Sequence, residues 1–207
     1  MIVWLMFFNG LQGVANADGA GGVAKVEGLA TVGPKKKAVE RCEVPLWSMD
    51  SDPAGLNVRS AGKRDAPIKG TLPPETMLTA IDAKSGWFRF KEPMVWNWPE
   101  AERIPLEAGP KQGWVYGGLL GEDTNCRRDS QGREVLVVYT RPDEASDPVV
   151  TWIVGQDFSC DWQIDKPLDC RQGWLKAVLR KGPNAKPVTG WLHRENLCDN
   201  PLTTCAG

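Results

Sequence analysis

Apolar and polar side chains alternate in short runs along this chain, as in Leu56-Asn57-Val58-Arg59 and Trp87-Phe88-Arg89-Phe90, and glycine or proline interrupts almost every longer window. A period of two broken at such intervals predicts strands, and helix signals are nearly absent. In the first half the pattern places strands at 44–47, 56–59, 68–72, 77–81, 87–91 and 114–116. In the second half it places them at 135–139, 149–154, 158–164, 174–179 and 191–193. The expected fold class is all-β.

Four Gly-Trp dipeptides punctuate this pattern in two matched pairs, Gly86-Trp87 with Gly113-Trp114 and Gly173-Trp174 with Gly190-Trp191. Glycine suits a tight turn because it tolerates positive φ, and tryptophan then covers the apolar face of the strand that follows. The spacing reads as one small β unit used twice, so the 207 residues divide into two small domains. The expected boundaries are 41–123 for the first domain, 124–132 for a polar, turn-rich linker and 133–205 for the second domain. Residues 92–111 form an insertion between two strands that is far longer than the usual hairpin loop, and it holds Trp96 and Trp98.

The first seventeen residues carry no charged side chain and contain the apolar run Ile2-Val3-Trp4-Leu5-Met6-Phe7-Phe8 before Ala15-Asn16-Ala17. The small-x-small ending predicts a signal peptide over 1–17 cleaved before Asp18, with a buried N-terminal strand as the alternative. The run is far shorter than the ~20 residues a spanning helix needs, so no stable membrane span is expected in the mature chain. Residues 18–40, rich in Gly, Ala and Val and ending near Lys35-Lys36-Lys37, read as a flexible tether.

Six cysteines, Cys42, Cys126, Cys160, Cys170, Cys198 and Cys205, all follow the expected cleavage site. An even count in that position points to an oxidising compartment and to disulfides, hence to a periplasmic or secreted protein. The expected pairing is Cys42 with Cys126, Cys160 with Cys170 and Cys198 with Cys205, which would staple each domain separately. Zinc is the competing use of these thiols, but no Cys-x-x-Cys occurs and His193 is the single histidine, so neither a metal nor another cofactor is expected. The net charge of −1 gives no basic face for nucleic acid.

The order Leu56-Asn57-Val58-Arg59-Ser60, Gly70-Thr71-Leu72-Pro73, Gly86-Trp87-Phe88-Arg89-Phe90 and Gly113-Trp114-Val115-Tyr116, followed by Leu119-Leu120, resembles the bacterial SH3-like domain. The second half keeps Gly173-Trp174-Leu175-Lys176-Ala177-Val178 and Gly190-Trp191-Leu192-His193, with Val137-Val138-Tyr139-Thr140-Arg141 in place of the Leu-Asn-Val-Arg motif. The resemblance implies two small, partly open, strongly bent barrels of five to six strands in tandem. It also implies a cell-envelope binding module, since such domains often attach to peptidoglycan or accompany enzymes that cut it.

Enzyme chemistry finds little footing. A cysteine peptidase needs a thiolate and an oriented imidazole, whereas here the cysteines are expected to pair. No Gly-x-Ser-x-Gly elbow accompanies His193, and the 26 acidic residues sit in no recognisable motif. A non-catalytic binding protein is the better expectation, with peptidoglycan or a cell-envelope protein as its partner. If Phe88 and Phe90 point inward, strand alternation turns Trp87 and Arg89 outward, and Leu175 and Ala177 inward leave Trp174 and Lys176 outward. Flat rings beside cationic ends suit sugar rings, peptide backbones and carboxylates. The candidate ligand residues are Trp87, Arg89, Trp96, Trp98, Tyr116, Trp174 and Lys176. The alternative is a periplasmic adaptor or inhibitor that inserts its Trp96–Trp98 loop into a partner protein.

Overall fold

The structure, a computed structural model, describes residues 42–97, 99–100, 102–154 and 162–198. The expected signal peptide and tether lie outside the described residues, as do Trp98, Cys160 and Cys205. The described chain is all-β, with fourteen strands in one antiparallel sheet. The first half supplies β1 (Val44–Ser48), β2 (Leu56–Arg59), β3 (Ile68–Leu72), β4 (Met77–Lys84), β5 (Trp87–Asn97), β6 (Glu102–Pro105), β7 (Gln112–Tyr116) and β8 (Leu120–Asp123). The second supplies β9 (Arg127–Arg128), β10 (Glu134–Tyr139), β11 (Pro148–Ile153), β12 (Gln163–Arg171), β13 (Trp174–Arg180) and β14 (Val188–His193). No helix among the described residues is long and apolar enough to cross a membrane.

Strand order repeats between the two halves. The first half runs β3-β2-β7-β5-β4, and the second runs β11-β10-β14-β13-β12, which is the same order of corresponding strands. The loops after β2 and β10 repeat the same backbone hydrogen bonds: the N–H groups of Ser60, Lys63 and Ala66 donate to Pro67, Ala61 and Lys63, and those of Thr140, Asp143 and Ser146 donate to Asp147, Arg141 and Asp143. Position 59 therefore corresponds to position 139. Arg59 in one half is replaced by Tyr139 in the other.

The four glycines of the Gly-Trp pairs serve two different purposes. Gly86 (φ +78°) and Gly173 (φ +76°) form two-residue hairpin turns with Ser85 and Gln172, which are also left-handed at φ 51° and 47°. Positive φ at both central positions matches the right-handed strand twist, so these glycines behave as expected. Gly113 and Gly190 correct the expectation. Both lie within extended strands, where a Cβ would overlap Cγ1 of Val58 and of Val138 respectively. They are glycine because β7 and β14 must cross closely over β2 and β10.

The halves do not form separate sheets, as the sequence led us to expect. β8 pairs with β1 through Trp47↔Gly121 and with β12 through Ile164↔Glu122, which joins the halves edge to edge. One core cluster contains Leu46, Phe88 and Phe90 from the first half with Leu136, Leu175 and Leu192 from the second. The expected linker is likewise structured: β9 pairs with β10, and Thr124 bridges Leu197. Thr124 is 1% exposed, and its Oγ1 donates to the carbonyl of Trp162 and accepts from its N–H, both at 3.1 Å. We predict that Thr124→Val, equal in shape but unable to hydrogen-bond, destabilises the fold by about 1–3 kcal/mol in urea unfolding; a change within about 0.5 kcal/mol would show that this junction contributes little.

The disulfide expectation is corrected by the same junction. Cys42 pairs with Cys170, not with Cys126, so Cys160 cannot pair with Cys170 either. The cause is local geometry: Cys42 enters the sheet beside the β12–β13 turn, where its carbonyl accepts the Gly173 N–H at 2.7 Å. Cys126 and Cys198 are also disulfide-bonded.

Candidate functional site

Alternation along β5 and β13 turns Phe88, Phe90, Leu175 and Ala177 inward, each 0% exposed, and leaves Trp87, Arg89, Trp174 and Lys176 on the opposite face. Register then sets their neighbours. Across β2, β7, β5 and β4 the row reads Arg59, Trp114, Arg89, Asp82. Across β10, β14, β13 and β12 it reads Tyr139, Trp191, Lys176, Asp169. One row further along, Trp87 lies opposite Tyr116, and Trp174 opposite His193.

In the first half this face opens into a groove of about 380 Å³ lined by Leu56, Asn57, Arg59, Arg64, Trp87, Tyr116 and Leu119. Trp87 and Tyr116 meet at 5.4 Å between ring centroids with their planes 51° apart. Arg59 lies 5.9 Å from the Trp87 ring centre, and its Nη1 donates to the Ala66 carbonyl at 2.7 Å, which holds it on the ring. Lys166 of β12, in the second half, stands beside the groove lining with Nζ 5.9 Å from the Tyr116 ring centre. Tyr116 is 40% exposed, an unusual amount for a ring packed against another ring.

The matching position in the second half is filled. Tyr139 stands edge-on to Trp174 at 5.4 Å, and the His193 ring meets the same indole at 5.1 Å. Tyr139, Trp174 and Trp191 are each under 10% exposed and form a small hydrophobic cluster of their own. Arg127 fixes the adjoining loop: its Nη1 lies 2.7 Å from Glu144 and 3.5 Å from Glu195. Burial disfavours the Arg127 charge, but its hydrogen bond to the Glu144 carboxylate, the Glu144 charge and the interaction with Tyr139 outweigh it and raise the pKa above the usual guanidinium value.

Among the sequence candidates, Trp87 and Tyr116 come together in the open groove. Arg89 lies outside the groove lining, 3.5 Å from Asp82 in a partly exposed ion pair. Trp174 is covered rather than presented, and Lys176 lies 5.9 Å from the Trp191 ring centre. Trp96 belongs to no exposed loop. β5 runs on to Asn97 and returns as β6, so Trp96 is half-buried in a ladder opposite Arg103. The sequence reading missed Arg59, Arg64 and Lys166 as site residues. Arg59 was legible within Leu56-Asn57-Val58-Arg59, whereas Lys166 depends on the joining of the halves.

Comparison with known proteins adds no family: no family model matches the sequence, and no curated protein matches it significantly.

Proposed function

We propose that this chain is a non-catalytic cell-envelope binding protein, periplasmic or secreted, whose SH3-like first half holds peptidoglycan or its stem peptides. The observation that carries this reading is the open groove with Trp87 and Tyr116 on its floor. Paired rings with an exposed face offer contact to sugar rings and to extended backbone at little conformational cost. The repeated strand order and the motif order of the sequence support the SH3-like assignment for both halves. The disulfides fit an oxidising compartment. In this reading the second half, with its groove position filled by Tyr139, braces the first and lends it Lys166.

Retention on purified peptidoglycan sacculi tests the proposal. The full chain is expected to co-sediment, and Trp87→Ala to lose about tenfold or more of that retention with an unchanged circular dichroism spectrum. Trp174→Ala should retain binding to the extent that it still folds. A chain that sacculi do not retain would refute the reading and favour the adaptor or inhibitor alternative.

A further inference from the structure

The groove floor is bracketed by charge of one sign. A cation lies against each ring of the floor: Arg59 is 5.9 Å from the Trp87 ring centre and Lys166, beside the groove lining, is 5.9 Å from that of Tyr116, with the two rings 5.4 Å apart. Arg64 adds a second guanidinium at the Arg59 end and has no ion-pair partner among the described residues. Among the described residues no acidic side chain lines the groove, although the chain as a whole carries a net charge of −1. The nearby acids have partners of their own: Asp65 pairs with Lys63 at 3.2 Å and interacts more weakly through space with Arg59, and Asp82 pairs with Arg89 at 3.5 Å. The hydrogen bond from Lys63 holds the Asp65 pKa below the ordinary carboxylate value.

We infer that the groove selects an extended acidic peptide, with an apolar or small-residue middle lying across Trp87 and Tyr116 and a carboxylate at each end facing Arg59 with Arg64 and Lys166. This deepens the binding reading above and rests on it. A cation at each end of an aromatic floor matches a carboxylate, an apolar stretch and a second carboxylate along one strand-like ligand. Residues of such a ligand advance by about 3.3 Å each, so acids separated by three small residues span a floor two rings long. A guanidinium can take a carboxylate bidentately, and Arg59 spends only one described donor on Ala66. The selection requires both halves, because Lys166 comes from β12.

The test titrates the full disulfide-bonded chain with the peptides acetyl-Glu-Ala-Ala-Ala-Glu-amide and acetyl-Gln-Ala-Ala-Ala-Gln-amide, followed by tryptophan fluorescence and by ¹⁵N indole resonances. The Glu peptide is expected to bind about tenfold more tightly than the Gln peptide. That preference should shrink as salt rises from about 0.05 M to about 0.5 M. The variants Arg64→Ala and Lys166→Ala, which remove charge without touching the core, should each reduce the preference for the Glu peptide, and together reduce it further. Equal binding of the two peptides, with Trp87 responding to both, would overturn acid selection and leave the groove as a binding site. Binding of neither peptide would overturn acid selection too, and the sacculus assay then decides separately whether the groove reading survives. Preference for the Glu peptide that both variants leave intact would place the acid-selective site elsewhere and also overturn the inference.

Discussion

A chain carrying both Cys42→Ala and Cys170→Ala is expected to lose about 4–5 kcal/mol of folding stability relative to the oxidised protein, in the loop-entropy account of a long closed loop. The residues are 128 apart in sequence, and the bond joins the entry of β1 to the end of β12 across the junction of the two halves. For a chain of this size the loss corresponds to a melting temperature lower by about 8–20 °C. Both halves should weaken together, because a single core contains side chains of each. Urea unfolding followed by near-ultraviolet circular dichroism measures the loss. Two separate transitions, with only one shifted, would contradict the shared core, and non-reducing peptide mapping that returned Cys42 joined to Cys126 would contradict the pairing itself.

Substituting alanine at Gly113 or at Gly190 should destabilise the fold by about 2–3 kcal/mol each, the upper range for overpacking a close contact. The cause is steric and has a named partner. The added methyl would meet Val58 in the first case and Val138 in the second, with the Tyr139 carbonyl also crowding Gly190. Trimming the partner should therefore relieve it: the pair Gly113→Ala with Val58→Ala is expected to be less destabilised than the sum of the two single changes. Gly86→Ala is the control, since its Cβ would meet nothing within 4 Å and its cost is the left-handed backbone alone, about 1–2 kcal/mol. Val58→Ala should not relieve that cost. If Gly86 and Gly113 responded alike to Val58→Ala, the distinction between turn glycines and crossing glycines would fall.

Period-two alternation made most strands legible, because an inward Phe88 and an outward Trp87 differ in chemistry as much as in direction. Prolines concealed the rest. Pro93 falls inside β5 and Pro167 inside β12, and both lie beside irregularities that a regular ladder would not allow: Glu92 has φ 50°, and the β12–β13 register shifts at Pro167. A proline in a run argues against a strand unless a bulge accompanies it, and the sequence does not show the bulge. Consequently residues 92–111 read as a loop and the arm of β12 beyond Ile164 went unrecognised.

The joining of the halves was hidden for a different reason. It depends on β8 pairing along both of its edges, a fact of strand order that no local pattern encodes. The disulfide and the placement of Lys166 beside Tyr116 follow from that order, so neither was readable beforehand. The unequal grooves were partly readable. The loss of the Leu-Asn-Val-Arg motif to Val137-Val138-Tyr139-Thr140-Arg141 was visible, but the match of Tyr139 to Arg59 and its edge-on contact with Trp174 required coordinates.

Ligand is expected to enter at Trp87 while the matching position at Trp174 stays filled by Tyr139. The most direct measurement is a set of ¹⁵N indole spectra of the full chain during titration with soluble peptidoglycan fragments, each resonance assigned by single Trp→Phe variants. The Trp87 indole is expected to shift in proportion to ligand while those of Trp174 and Trp191 stay in place. Movement of Trp174 and Trp191 with a stationary Trp87 would contradict this expectation.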